Sequence, residues 1–311
     1  MPSIDALVSN IRENVKSKAI VACSGGIDST LTSYLVQKAI PDKSLTVFVD
    51  TGLLRENEVE KVRNLFEKLQ LNYKILNESD FFIKSLKGIK NPESKRKIIG
   101  SAFIKSFEKV AKEFGAEYLI QGTIAPDWIE SGDEKRDNIK SHHNVGGLPR
   151  DINLKIYEPI RDLYKDEVRA LSKEVGINPV SRQPFPGPGL AIRVIGSVTK
   201  KKIDIIRGAT KIVEEVIEQS VDNKLMPLPW QYFPVLLPIK SVGVMGDRRS
   251  YGYTISIRIV ESLDAMTANI CHVPYEILEE ISSKICSSYS KYITRVLFDI
   301  TSKPPSTIEW E

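Results

Sequence analysis

KAIVACSGGIDSTLTSYL, residues 18–35, runs from a strand through a glycine loop into a helix. Residues 19–23 form a short apolar run rich in β-branched side chains, the pattern of a buried strand. Ser24-Gly25-Gly26 permits a tight turn, because glycine reaches backbone angles that other residues avoid. Asp28, Ser29 and Thr30 then open a helix whose Leu31, Leu35 and Ala39 share one face. Successive backbone N–H groups ahead of a helix N-terminus make a cradle for phosphate or an oxyanion. The hydroxyls of Ser24, Ser29 and Thr30 add donors. No Gly-Lys-Ser/Thr follows the glycines, so this is not a Walker loop, and the spacing is not that of a GxGxxG dinucleotide fingerprint.

Working outward, strands and helices alternate. A helix spans 3–16, ahead of the loop. A strand at 45–49 ends in Asp50-Thr51-Gly52, and a helix over 56–70 carries Val59, Val62, Leu65, Phe66 and Leu69 on one side. A short strand at 73–76, a helix over 93–114 and a strand at 118–121, ending at Gly122-Thr123, follow. This alternation predicts an α/β domain with a doubly wound parallel sheet. Ligands of such sheets bind beyond the carboxyl ends of the strands, so Ser24, Asp50 and Gly122 share one rim. Residues 124–150 show no period and are read as a functional loop. A strand at 154–157 and a helix over 165–174, stopped at Gly176, complete the first domain.

Gln183-Pro-Phe-Pro-Gly-Pro-Gly189 admits neither helix nor central strand. It sets the expected boundary between domains 1–184 and 185–311. Beyond it a strand at 190–195, a helix over 200–219, strands at 235–241 and 254–260, a helix over 274–289 and a strand at 295–300 predict a smaller α+β unit.

Composition narrows the partners. The chain has 311 residues, 41% hydrophobic and 27% charged, with 44 basic against 40 acidic side chains for a net +4. That balance gives no electrostatic case for nucleic acid, and no apolar run reaches the length of a membrane span. The N-terminus lacks the basic start and apolar core of a signal peptide. Cys23, Cys271 and Cys286 form no CxxC, which argues against a disulfide framework or zinc site and points to a cytoplasmic location.

The pattern Ser-Gly-Gly-x-Asp-Ser resembles the pyrophosphate loop of N-type ATP pyrophosphatases. The segments FVDTGLLR (48–55), QGTIAPDWIES (121–131), IKSHHNVGGLP (139–149), EPIRDLYKDEVR (158–169), FPGPGLAIRVIG (185–196), LPIKSVGVMGDRRSYGY (237–253) and TSKPPSTIEWE (301–311) resemble the ATP-pyrophosphatase part of the GMP synthetase family, in unbroken order. Ile27 and Thr30 stand where many relatives have Val and Ser. The resemblance implies an adenine-nucleotide α-hydrolase type sheet. It implies a ligase that adenylates the C2 oxygen of xanthosine monophosphate (XMP) with ATP, releasing pyrophosphate, after which ammonia displaces AMP to give GMP. Because the chain begins almost at the loop, it resembles the form whose glutamine amidotransferase is a separate subunit.

The resemblance also implies the site. Ser24, Gly25, Gly26, Ile27, Asp28, Ser29, Thr30, Val49, Leu54, Arg55, Gly122 and Thr123 are expected to bind ATP. Asp28 is expected to hold Mg²⁺ as well. Asp28, Asp127, Glu130 and Lys140 are expected to act in catalysis, the last three in a lid over 124–150. Arg193, Arg248, Lys303, Ile308 and Glu309 are expected to bind XMP. His142-His143 is expected to contact substrate or pack the lid, since adjacent histidines without a spaced partner are weak metal ligands. The second domain is expected to form a homodimer through the strands at 235–237 and 254–260. NAD synthetase, asparagine synthetase, argininosuccinate synthetase and tRNA-thiolating enzymes share the loop. Thiolation is disfavoured by the cysteine spacing.

Overall fold

A computed structural model describes residues 2–130, 154–177, 183–263 and 265–311. The chain divides into two units. The first comprises Met1–Gly52, Asn57–Ser85 and Arg96–Arg182; the second comprises Leu53–Glu56, Leu86–Lys95 and Gln183–Glu311. Two short pieces ahead of the proline-glycine boundary therefore cluster with the second unit.

The first unit is built on a parallel sheet of five strands: β1 (Ala19–Ala22), β2 (Ser44–Asp50), β3 (Tyr73–Asn77), β4 (Tyr118–Ile120) and β5 (Lys155–Tyr157), in the order β3-β2-β1-β4-β5. Helices α1 (Ile4–Asn14), α2 (Ile27–Ala39), α3 (Glu58–Lys68), α4 (Ser79–Ser85), α5 (Pro92–Phe114), α6 (Ala125–Glu130) and α7 (Lys165–Glu174) accompany it. On α1, Ile4, Leu7, Val8 and Ile11 recur at helical spacing and pack with Leu31 and Leu35 of α2, Val168 and Leu171 of α7, and Ala19 and Val21 of β1. Ile20, between those two strand residues, is fully buried and points to the opposite face. Both faces of β1 are thus covered, as a parallel sheet requires. On α5, Phe103 packs edge-on to Phe82 of α4 at 5.0 Å and stacks on Phe107 at 6.2 Å.

Two helices went unread in the sequence. Ser79–Ser85 is too short to show a period, and Ala125–Glu130 opens the segment taken as aperiodic.

The second unit carries a mixed sheet. The long hairpin of β6 (Gln231–Met245) and β7 (Arg248–Glu261) is antiparallel; β8 (Asn269–Ile270) pairs antiparallel and β9 (Ile293–Asp299) parallel with β7. Helices α8 (Lys200–Asp222) and α9 (Tyr275–Ser288) pack with it. The strand expected at 190–195 is instead a 3₁₀ turn, Gly189–Arg193, buried throughout. Gly189 has φ +62°, and a Cβ there would lie 2.4 Å from the Leu53 carbonyl oxygen. A left-handed residue cannot continue a strand.

The order β3-β2-β1-β4-β5 reverses direction between β1 and β4, the switch point at which crossovers leave to opposite sides. Gly122, just past β4, touches the start of α2 there: an added Cβ would meet the Ser29 nitrogen and Cα at 2.9 Å and the Asp28 carbonyl carbon at 3.0 Å. Those are backbone atoms and have no rotamer to yield. Gly122→Ala should therefore lower unfolding free energy by about 1–3 kcal/mol, measured by urea denaturation. An unchanged midpoint would show that α2 shifts freely against β4.

Candidate active site

The loop after β1 is tied together by its own hydroxyls. The Ser29 hydroxyl accepts from the Ser24 N–H at 3.1 Å and lies 3.2 Å from the Gly26 carbonyl, to which it donates. The Ser24 and Ser29 hydroxyls are 3.1 Å apart. Gly25 has φ +77°, and a Cβ there would sit 2.5 Å from Val62 Cγ2. Gly26 is the N-cap of α2 and bears no capping side chain, so the first amides of the helix face outward without one. Ser24 and Gly26 are not buried. The cradle drawn from the sequence is present in shape, with one correction. Thr30 is fully buried with its Oγ1 3.9 Å from Cys23 Sγ, so its hydroxyl turns into the core and adds no donor to the loop. Val49 is likewise a buried β2 residue, and Ile27 packs on the core.

Asp28 follows the loop in the first turn of α2. Burial pushes its carboxyl up to about 6, with the charge of Asp127 adding to the rise; Lys165 and Arg169 oppose it. The structure thus brings Asp28 and Asp127 into one field, as the sequence proposed. It adds two cations that the sequence left unassigned. Lys165 and Arg169 stand at i and i+4 of α7 and share a helix face; that spacing was the signal available. Asp127 also accepts from the Ile124 N–H at 3.0 Å, which fixes the start of α6. Thr123 is buried and its Oγ1 donates to Glu158, which in turn pairs with Arg161 at 3.3 Å. Glu158 is a further residue that sequence reasoning missed. Glu130 closes α6, while Lys140, His142 and His143 lie outside the described residues.

Leu54 and Arg55 belong to the second unit. There the Leu54 carbonyl accepts from Arg207 at 3.0 Å. Arg55 pairs with Glu214 at 3.2 Å and lies over the Phe185 ring at 4.7 Å.

The residues expected to bind the second substrate divide into two kinds. Arg193 is 1% exposed; its Nε and Nη2 donate to the two Glu309 carboxylate oxygens at 3.2 and 2.8 Å, and its guanidinium lies 4.1 Å from the Phe233 ring centre. Its fork is therefore engaged by a carboxylate of the chain itself, which corrects the picture of Arg193 as an open phosphate ligand. Gln231 also donates to Glu309, at 3.1 Å. Ile308 packs into the core with Phe233, Val235 and Leu237. Lys303 donates to the Ala265 carbonyl at 2.7 Å and is half-buried. Arg248 is exposed at the start of β7.

The raised Asp28 carboxyl has a consequence for stability. An acid whose folded value lies above its unfolded one supports the fold below the unfolded value, near 3.8, and loses that support as pH rises through about 6. Asp28→Asn removes the loss. With a discount for residual solvent contact, the variant should be more stable than the parent by about 1–2 kcal/mol at pH 8 and equal to it at pH 3. Urea melts at both pH values, without added nucleotide or divalent ions, measure this; equal stabilities at pH 8 would place Asp28 in an ordinary aqueous environment.

Comparison with known proteins agrees with this arrangement. Residues 2–103 match the family model described as NAD synthase, and residues 214–310 match the model described as GMP synthase C terminal domain. Three relatives are chains of two-part, glutamine-hydrolyzing GMP synthases, each named as one subunit of the enzyme. The chain is 54% identical over 308 residues to that of Thermoplasma volcanium, covering 99% of this chain and 98% of that one. It is 55% identical over 312 residues to that of Pyrococcus furiosus, with 99% and 96% covered. The counterpart in Methanocaldococcus jannaschii is 50% identical over 312 residues, with 99% and 98% covered. On identity sustained over whole chains, this protein belongs to that family of glutamine-hydrolyzing GMP synthase subunits.

Proposed function

We propose that this chain catalyses the synthetase half of GMP formation: ATP adenylates XMP, pyrophosphate leaves, and ammonia displaces AMP. The observation that carries the reading is the serine-glycine loop at the switch point of the parallel sheet, with Asp28 and Asp127 beside it. A loop pre-bonded by Ser24 and Ser29 holds its amides ready for the β and γ phosphates, so little ordering remains to be done when the nucleotide binds. Lys165 and Arg169 supply positive charge toward the same place. Lys140 and Glu130 are proposed to act from the 124–150 segment on the adenylation step.

The donor set fits Mg²⁺ brought in with ATP. Among the described residues no group of three or more His, Cys, Asp or Glu side chains stands ready to cage a metal, and Mg²⁺ at phosphate sites needs only one or two carboxylates. Asp28, with Asp127 nearby, would hold the ion, which supplies neutralisation of phosphate charge. The two carboxylates raise each other's proton affinity, and a cation shared between them relieves that repulsion.

The nitrogen donor must come from outside. A glutaminase needs an activated thiolate. Burial and a hydrogen bond to Glu261 push the Cys271 thiol up to about 12, and burial raises Cys286. Cys23 is buried behind the loop with its Sγ 3.6 Å from the Ser29 hydroxyl. Cys271 lies on extended chain after β8, not in a helix, and the exposed His272 beside it points away. We therefore assign ammonia supply to a separate glutamine amidotransferase subunit and place the pair in the cytoplasm. Among the described residues no helix is long and apolar enough to cross a membrane. Purified chain given XMP, MgATP and ammonium should form GMP, and with glutamine in place of ammonium it should not. GMP from glutamine, in a preparation free of a second protein, refutes the assignment; no GMP from either, with pyrophosphate released on another acceptor, refutes XMP as substrate.

Homodimerisation is proposed through a different surface from the one expected. Val235, Leu236, Ile255, Ile257 and Val260 are all at most 1% exposed within the unit, because α8 and the C-terminal segment already cover them. The uncovered apolar side chains lie further along the hairpin: Val242, Val244 and Tyr251 are 55%, 78% and 64% exposed. Val242 pairs with Tyr251, so all three share one face. Sedimentation at micromolar concentration should give a dimer for the parent and a monomer for Val242→Lys/Val244→Lys. A parent that sediments as a monomer removes this surface from consideration.

A further inference from the structure

Arg258 is a buried cation at the centre of the second unit's sheet. It lies in the middle of β7, between Phe233 of β6 and Asp299 of β9, and it is 0% exposed. A guanidinium that deep must have its donors satisfied, since burying an unpaired charge is strongly unfavourable. Its Nε donates to the Ile308 carbonyl at 3.3 Å, Nη1 to the Thr301 carbonyl, and Nη2 to the Thr307 carbonyl and the Ser306 hydroxyl, each at 3.0 Å. Nη1 also pairs with Asp299 at 3.2 Å. Asp299 in turn accepts from the Thr301 N–H at 3.0 Å and from Trp310 Nε1 at 3.0 Å. One cross-strand ion pair therefore fixes the two ends of the closing segment, at 301 and at 306–310. Lys303, Ile308 and Glu309 all belong to that segment.

We propose that Arg258, oriented by Asp299, is a positioning residue for the XMP site: it sets the 301–311 segment so that Lys303 and the backbone around Ile308 and Glu309 meet the nucleotide. The proposal rests on the reading of that segment as the XMP-binding tail. The shape of the guanidinium is essential to it, because four acceptors on the segment and one on β9 are reached from a single planar fork. A lysine keeps the charge but offers three donors from one point and cannot span them.

The experiment uses the full chain as parent, Arg258→Lys, Arg258→Ala, Asp299→Asn and Lys303→Ala. XMP affinity is measured by calorimetry, KM for XMP and for MgATP is measured with ammonium as donor, and amide exchange is followed over 300–311. Arg258→Lys should raise the XMP dissociation constant and KM tenfold or more and speed exchange in that segment. The KM for MgATP should stay within twofold. Asp299→Asn should show the same pattern more weakly. In Arg258→Ala, added guanidinium should restore part of the XMP affinity. If Arg258→Lys does not fold, Asp299→Asn decides the matter by the same split between the two KM values. The proposal is overturned if Lys303→Ala weakens XMP while the folded Arg258 and Asp299 variants bind it as the parent does, or if both KM values rise together. If Lys303→Ala also binds XMP normally, the assignment of the tail as the XMP site fails instead, and Arg258 is an anchor of the fold.

Discussion

The first unit depends on how closely β4 approaches the start of α2. At a switch point two crossovers leave in opposite directions, and the space between them is the ligand crevice. Here that space is kept narrow: the chain past β4 touches the backbone of Asp28 and Ser29 at a distance only glycine permits. With Gly122 pressed against it, the turn cannot drift, and the Ser24 and Ser29 hydroxyls bond to each other and to the loop backbone. The same approach leaves Asp28 in the first turn and partly out of water, which is why burial dominates its protonation. The shape of the cradle and the proton affinity of its carboxylate thus share one steric cause.

The second unit is organised by buried cations. Lys95 is 0% exposed and donates to the Ala191 carbonyl at 3.1 Å, the Val194 carbonyl at 2.7 Å and the Glu311 carboxylate. Burial pulls its ammonium below the ordinary lysine value while Glu311 supports the charge. Arg193 grips Glu309 and Arg258 grips the carbonyls between. Desolvating three cations is offset only by complete pairing. Removing one carboxylate would leave a buried charge uncompensated, so the closing segment is held by interactions that do not loosen one at a time.

Much of this was legible in the sequence, and the reasons differ from place to place. The parallel sheet was readable because the strands at 45–49 and 118–121 are short apolar runs between helices of clear period, and the glycine loop announced the switch point. The antiparallel hairpin was recognised only over its apolar halves. From Lys240 to Arg249 the pattern alternates into exposed and charged residues, and nothing in it separates a projecting strand from a loop. The residues at 190–195 are as apolar as a strand, and their 3₁₀ form follows from the contact of Gly189 with the Leu53 carbonyl, a partner far away in sequence. Arg193 and Arg258 look in sequence like surface or ligand arginines. Their burial is set by Glu309 and Asp299, which lie 116 and 41 positions away (309 − 193 and 299 − 258), and no local pattern encodes such pairings.

The two units treat charge in opposite ways, and this bears on how each meets a ligand. In the first, Asp28 carries a carboxylate that the chain does not fully compensate, since burial and Asp127 outweigh Lys165 and Arg169. Such a group gains most when a cation arrives, so nucleotide with its divalent ion binds where the protein alone leaves electrostatic strain. In the second, Arg193, Arg258 and Lys95 have already been matched to carboxylates and carbonyls of the chain. An anionic ligand that sought them would have to displace Glu309 or Glu311 and strand a buried carboxylate in their place. It follows that phosphate recognition in this unit falls to cations still reached by solvent, such as Arg248 and Arg249 at the hairpin and half-buried Lys303, whose charge costs little to redirect. The buried arginines give those side chains a rigid frame, and that is a different task from binding the phosphate themselves.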